Sequence, residues 1–87
     1  MQKAQHHRDY KPLPAFLRKM RNAVKKPDGS EFTQRDLGEE VDEPQSWVHN
    51  CESNNRRMDI AEFIRWCEAC GVDPADGFKR YLKLIRR

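Results

Sequence analysis

Long apolar runs are missing from this chain of 87 residues. No stretch approaches the roughly 18 apolar residues that a bilayer-spanning helix requires, and the first residues, MQKAQHHRDYK, lack the hydrophobic segment of a secretory signal. Charged residues make up 36% of the sequence, but leucine, isoleucine, valine and phenylalanine recur throughout, which argues against general disorder. We therefore expect a cytoplasmic protein without a membrane segment, built as one small domain.

Cysteine is also scarce. The chain has three cysteines, Cys51, Cys67 and Cys70, an odd number that fits reduced thiols better than a disulfide framework. Together with His6 and His7 they offer metal-binding atoms, but no second Cys-x-x-Cys or histidine pair follows at zinc spacing. We predict buried cysteines, no metal and no other cofactor. Because the sequence also lacks a nucleophile–base constellation and a phosphate-binding loop, we predict no catalytic residues and no enzyme activity.

The alternation of apolar and polar residues that marks β-strands is absent, and apolar residues recur instead at spacings of three and four. The predicted fold class is all-α, a compact five-helix domain at residues 12–87 after a flexible basic arm at 1–11. The predicted helices begin at Pro14, cover 34–41 and about 44–52, run from Ile60 to Cys70, and start again at Pro74.

Turn and cap residues set these boundaries. Thr33 and Asp36 have the spacing of a capping box, Pro44 suits the first turn of the third helix, and Asn54 tolerates the left-handed turn that ends it. Gly38 costs about 1 kcal/mol relative to alanine in mid-helix, so we expect a close helix crossing there. Side chains predicted to face the core are Phe16, Leu17, Met20, Ala23, Val24, Phe32, Leu37, Val41, Val48, Cys51, Ile60, Phe63, Ile64, Cys67, Phe78, Tyr81, Leu82 and Ile85.

Charge is distributed unevenly along the chain. Residues 1–27 carry eight bases against one acid, residues 28–73 carry twelve acids against four bases, and residues 74–87 carry five bases against one acid. Basic ends around an acidic middle favour a polyanionic partner, although ordinary solvated faces explain the same pattern. In the arm, Lys3, His6, His7, Arg8 and Lys11 either lie along a DNA groove or remain in solvent.

Two short helices joined by about three residues form a unit whose second helix fits the major groove of B-DNA. The stretch FTQRDLGEEVDEPQSWVHNCESNNRRMDIAEFIRWCEACGVDP resembles the helix-turn-helix domain of Xre and Cro type regulators and phage repressors. The resemblance places the motif at residues 33–52. It is carried without a gap by Phe32, Thr33, Gln34, Leu37, Gly38, residues 45–48, Glu52, residues 57–59 and residues 71–74.

Three features depart from the family pattern. Asp42 stands in the turn where glycine is usual, and it tolerates the left-handed region less easily. Asn54 replaces a second loop glycine and tolerates that region better. The third is an acidic run that would repel phosphate and is therefore predicted to face away from DNA: Glu39, Glu40, Asp42 and Glu43.

The resemblance implies which residues contact DNA. Gln45, Ser46 and Asn50 take the base-reading positions, and their amides and hydroxyl have the required chemistry, although exposed amides are also simply soluble. Trp47 either contacts thymine methyl groups or the sugar, or packs on Arg35 or the second helix. Residues implied at the phosphates are Thr33, Gln34, His49, Arg56 and Arg57. Arg56 and Arg57 have a rival role as ion-pair partners of Glu52.

A homodimer on a palindromic operator is expected, because one recognition helix buries too little surface for tight specific binding. Trp66, Tyr81 and Leu84 are the predicted dimer surface. The expected function is that of a double-stranded DNA-binding repressor, bacterial or phage-encoded and associated with the nucleoid. The alternatives are an antitoxin that binds a toxin protein and regulates its own promoter, and a non-specific nucleoid binder.

Overall fold

A computed structural model describes residues 7–86, which form five α-helices and no strand beyond an isolated bridge between Lys25 and Glu31. The predicted all-α class and helix order are confirmed. Pro44 was predicted in the first turn of the third helix. It is instead the N-cap residue, just before that helix begins. The helices are α1 (Leu13–Asn22), α2 (Gln34–Val41), α3 (Gln45–Glu52), α4 (Ile60–Ala69) and α5 (Pro74–Ile85).

Local chemistry starts helix α2 as the sequence predicts. The Thr33 hydroxyl accepts a hydrogen bond from the Asp36 N–H, and the Asp36 carboxylate accepts one from the Thr33 N–H, which completes the capping box of α2. Asp59 and Glu62 form the same reciprocal pair at α4. Each box satisfies backbone donors that the first helical turn leaves unpaired, so the helices begin at fixed residues.

The core lies where α1 and α4 meet the helix pair α2 and α3. Leu17 and Trp66 are fully buried, and the Trp66 indole N–H donates to the Leu17 carbonyl over 3.3 Å. This bond satisfies the one polar atom of a large aromatic side chain in the interior. The other buried apolar residues are Met20, Phe32, Leu37, Val41, Val48, Cys51, Phe63, Cys67 and Cys70.

The buried face of helix α4 is rotated about the helix axis relative to the predicted face. Ile60 and Ile64 are 67% and 39% exposed, whereas Trp66 is buried. The prediction that both isoleucines face the core is therefore wrong, and so is the placement of Trp66 on a dimer surface. Burying an indole removes more apolar area from water than burying an isoleucine, and here its N–H also finds a partner.

Helix α5 approaches α4 through Gly77, where an added Cβ would lie 2.8 Å from the Cys67 sulfur. The rest of the apolar stripe of α5 is only partly covered. Phe78 is 49% exposed, which contradicts its predicted inward position, and Leu84 is 40% exposed. Tyr81 is half-buried, with its ring edge-on to Phe16 at a centroid distance of 5.2 Å.

The described end of the basic arm is attached to the domain. The Tyr10 hydroxyl accepts a hydrogen bond from the Met58 N–H over 2.8 Å, and the Tyr81 hydroxyl donates to the Asp9 carbonyl. Asp9 and Tyr10, which were predicted to lie in a flexible arm at 1–11, therefore contact the domain. The predictions for Lys3 and His6 lie outside the described residues.

Candidate nucleic-acid interface

The turn between α2 and α3 is sharp and closely packed. Asp42 occupies the left-handed region with φ 62°, and the Glu43 N–H donates to the Gly38 carbonyl over 2.9 Å. A Cβ on Gly38 would lie 2.6 Å from the Glu43 carbonyl oxygen. The close approach predicted at Gly38 is therefore present, but its neighbour is the turn backbone and the start of α3 rather than the middle of another helix.

Helix α3 has one buried side and one open side. Val48 and Cys51 are buried as predicted and hold the helix on the core. Gln45, Ser46 and His49 are exposed on the open side. A polar helix face held rigidly by its apolar side is the arrangement that a groove-reading helix requires.

Glu52 is a charged residue in the interior, at the end of α3. Its carboxylate accepts two hydrogen bonds from Arg21, at 2.7 and 3.0 Å, and one from the Gln34 amide at 2.9 Å. The hydrogen bond to Glu52 raises the pKa of Arg21, so this guanidinium stays charged. Arg21 also donates to the Phe32 carbonyl. These bonds tie α3 to both α1 and the start of α2.

The structure is similar to a solved structure described as an XRE-family like protein from Pseudomonas syringae pv. tomato str. DC3000. The two share 28% sequence identity and a TM-score of 0.74, over 94% of this chain and 93% of that one. The chain has an XRE-type fold. Neither a family model nor a curated protein matches the sequence. An XRE-like fold indicates a helix-turn-helix DNA-binding regulator, which is typically non-enzymatic.

Three of the four predicted base-reading residues remain candidates in the XRE-type fold. Gln45 and Ser46 are exposed and Asn50 is half-buried on the same helix. Trp47 instead packs against Trp66, with ring centroids 6.0 Å apart, and the Arg56 and Arg65 guanidinium groups lie over its ring. We therefore remove Trp47 from the base-reading set, because its aromatic faces already contact the protein.

The predicted phosphate contacts on α2 are engaged within the XRE-type domain. The Gln34 amide donates to Glu52, so it helps to hold α3 in place instead of projecting toward DNA. The Thr33 hydroxyl donates to the Asp36 carboxylate and accepts from its N–H. The Thr33 hydroxyl therefore donates its hydrogen bond within the capping box. The bonds from Thr33 also lower the pKa of Asp36, which keeps this carboxylate charged.

The two loop arginines differ. Arg56 donates hydrogen bonds from both terminal nitrogens to the Glu62 carboxylate, at 3.1 and 3.2 Å. This hydrogen bonding raises the pKa of Arg56. Arg56 therefore holds the loop against α4. We replace its predicted phosphate contact with this structural role. Arg57 is exposed and forms no ion pair with residues 7–86. The rival pairing of Arg56 or Arg57 with Glu52 is wrong, since Arg21 takes that place.

Sequence reasoning missed Arg65 on α4. Its guanidinium donates to the Val41 carbonyl over 2.7 Å and to the Glu43 carboxylate over 3.4 Å, so it supports the turn before α3. The available signal was a single cation between Ile64 and Trp66 in an otherwise apolar stretch. Glu43, from the acidic run, therefore has a cationic partner within the domain.

Over the described residues, 7–86, no group of three or more histidine, cysteine or acidic side chains is arranged to hold a metal ion. Within the same range no helix has the length and apolar character needed to cross a membrane.

Proposed function

We propose that this chain is a sequence-specific double-stranded DNA-binding transcriptional regulator, with α3 lying in the major groove. The observation that carries the proposal is the contrast across α3. Val48, Cys51 and Glu52 are buried and fixed, whereas the polar side chains of Gln45 and Ser46 are open to solvent. A rigid helix with exposed amides and hydroxyls presents hydrogen-bonding groups to base edges without first reorganising.

The assigned roles follow from side-chain chemistry. Gln45 and Asn50 offer a paired donor and acceptor that suit adenine N6 and N7, and Ser46 serves either kind of partner. His49 and Arg57 are the exposed groups that we assign to phosphates. Phosphate contacts set the register of the protein on DNA, and base contacts set its sequence preference.

We further propose that the regulator acts as a homodimer that represses transcription at a palindromic operator, with half-sites about 34 Å apart. Of the dimer surface predicted from the sequence, Trp66 is buried and Tyr81 is occupied by Phe16 and Asp9. Leu84, the third residue of that surface, is 40% exposed, and apolar side chains are also exposed at Ile60, Ile64 and Phe78. We place the dimer contact there, because exposed apolar side chains on neighbouring helices favour association.

Selection of bound sites from a random DNA pool tests the proposal. The wild-type chain is expected to enrich a short two-fold symmetric motif, and Gln45→Ala is expected to lose the preference at one base pair of each half-site, with a cost of about 1–3 kcal/mol. Asn22→Ala, an exposed amide on α1, is the matched control. An unchanged motif with Gln45→Ala would refute the base-reading role, and no enriched motif would leave only non-specific binding.

A further inference from the structure

An apolar groove of about 690 Å³ lies between α1 and α5. Its apolar lining includes Phe16 and Met20 from α1 and Leu84 from α5, and its charged lining consists of Lys19, Arg80 and Lys83. No acidic residue lines it. The groove is therefore an apolar trough with a purely cationic rim, which the DNA-binding proposal does not use.

The shape of this basic groove suits a helix. Its α1 wall runs from Pro12 to Ala23, about three helical turns or roughly 16 Å. Ala15 and Ala23 are exposed there, so the prediction that Ala23 faces the core is wrong. The small side chains of both alanines permit close approach of another backbone. An amphipathic helix buries its apolar side chains in a groove of this kind, with anchors spaced by three and four residues.

The rim charges specify the chemistry of the occupant. Lys19 stands on one wall and Arg80 and Lys83 on the other, all three are exposed, and none forms an ion pair with residues 7–86. Cations on both walls match a partner with acids on both flanks of an apolar stripe. A single-headed acid, such as a fatty acid, would satisfy only one wall.

Charge also argues against this chain as its own occupant. A second α5 in the groove would bring its own Arg80 and Lys83 against the same cations, which is unfavourable. The acidic helix α2 is not available either, since Leu37 and Val41 from its apolar face are buried in the core. The groove thus favours a different molecule.

We propose that the α1–α5 groove binds an acidic amphipathic helix of a partner protein. The groove lies on the side of α1 away from the recognition helix, because Arg21 of α1 faces Glu52 whereas Ala15 and Ala23 face the groove. The bound helix consequently leaves α3 open. This site is independent of the proposed DNA-reading residues.

Binding of a designed helix tests the proposal. The probe is a fluorescent, end-capped peptide of about 15 residues, with leucines spaced by three and four and glutamates on both flanks. We expect it to raise the fluorescence anisotropy on titration with the full chain, and to shift the amide resonances of Ala15, Ala23 and Leu84. An isomer with the leucines scattered, and a peptide with glutamine in place of glutamate, are expected to bind weakly.

Charge reversal separates this groove from the rest of the basic surface. Lys19→Glu combined with Lys83→Glu is expected to weaken peptide binding by about tenfold or more, and circular dichroism confirms folding of the variant. Lys79→Glu reverses an exposed charge of α5 outside the groove and is expected to bind normally. Gln45→Ala is also expected to bind the peptide normally, so failure of DNA reading and failure of this site give different results.

Four outcomes would overturn the proposal. The first is no binding of the peptide, and the second is equal binding by the variant with both lysines reversed. The third is a set of resonance shifts in the groove that decanoate or duplex DNA causes and the peptide does not. The fourth is a dimer in sedimentation that dissociates when Lys83 is reversed, because a second copy would then be the occupant.

Discussion

At the scale of single residues, Glu52 connects three helices through a buried ion pair. Arg21→Ala removes two of the three hydrogen-bond donors and leaves a buried carboxylate supported by Gln34 and, at 3.7 Å, by Arg18. Removing one partner of a buried pair strands a charge, so we expect the free energy of unfolding to fall by about 3 kcal/mol. Urea denaturation measures this. Arg35→Ala, at an exposed site, is expected to change it by less than about 0.5 kcal/mol.

A second comparison separates stranded charge from lost packing. Combining Arg21→Met with Glu52→Met removes both charges and keeps most of the side-chain volume. The double variant is expected to be more stable than Arg21→Ala, because no charge remains buried alone. If the double variant is the less stable of the two, the cost comes from lost contacts rather than from the isolated carboxylate.

The buried thiols give a pH dependence that also belongs to single residues. Burial raises the pKa of Cys67 to about 11 and of Cys70 to about 12, from an ordinary value of 9.0. Above pH 9 the unfolded chain loses thiol protons that the folded chain keeps, so ionisation favours unfolding. We expect the free energy of unfolding to decline as pH rises from 9 towards 11, with no contribution from these thiols at neutral pH.

Urea midpoints at pH 7, 9 and 10 measure this decline. Replacing these two thiols, Cys67→Ala with Cys70→Ala, is expected to flatten the pH dependence without removing it, since burial also raises the pKa of Cys51, of Tyr10 and of Tyr81. A decline as steep as that of the wild type in the doubly replaced chain would contradict the assignment to these thiols.

At the scale of elements, the turn between α2 and α3 depends on Gly38. Alanine there gains helix propensity of about 1 kcal/mol, but its Cβ would meet the Glu43 carbonyl at 2.6 Å, and a backbone atom yields little. We expect Gly38→Ala to lower the free energy of unfolding by about 1–3 kcal/mol and to weaken DNA binding, because the turn sets the angle of α3. Glu39→Ala, at the next and exposed position, is the control for thermal unfolding and for DNA affinity.

The elements also show where sequence information sufficed. Caps and turns are local, so the start of α2 at Gln34, the left-handed Asn54 and the paired Thr33 and Asp36 were all predictable. The rotation of α4 was not, because Ile60 and Trp66 lie on stripes that both fit the helical period. Which stripe is buried depends on the volume offered by α1, and that is a tertiary property.

The candidate site was predictable to the same extent. Gln45 and Ser46 have the expected exposure on α3, because their positions follow from the period of buried Val48 and Cys51. The contacts made by long side chains were not predicted. Gln34 and Arg56 reach partners that spacing along the chain does not reveal, and the contact of Arg65 with the turn spans 24 residues.

At the scale of the whole molecule, we propose that the exposed apolar residues of α4 and α5 form the dimer contact. Ile60, Ile64 and Phe78 keep between 39% and 67% of their surface in water, and a dimer that covers them gains about 25 cal/mol for each Å² buried. We expect the chain to sediment as a dimer on operator DNA. Ile64→Asp combined with Phe78→Asp is expected to give a monomer that remains folded, because both sites are exposed in the single chain.

Loss of the dimer has a defined consequence for DNA binding. Two linked recognition helices share one binding event, so the monomer is expected to bind the full operator at least about a hundredfold more weakly, whereas binding to a single half-site changes little. Analytical ultracentrifugation and titrations on full and half operators, at one salt concentration, measure both effects. Glu68→Ala, at an exposed acid on α4, is the control. A wild-type chain that stays monomeric at high concentration and on operator DNA would exclude the dimer, and the operator would then have to be read by one α3 alone.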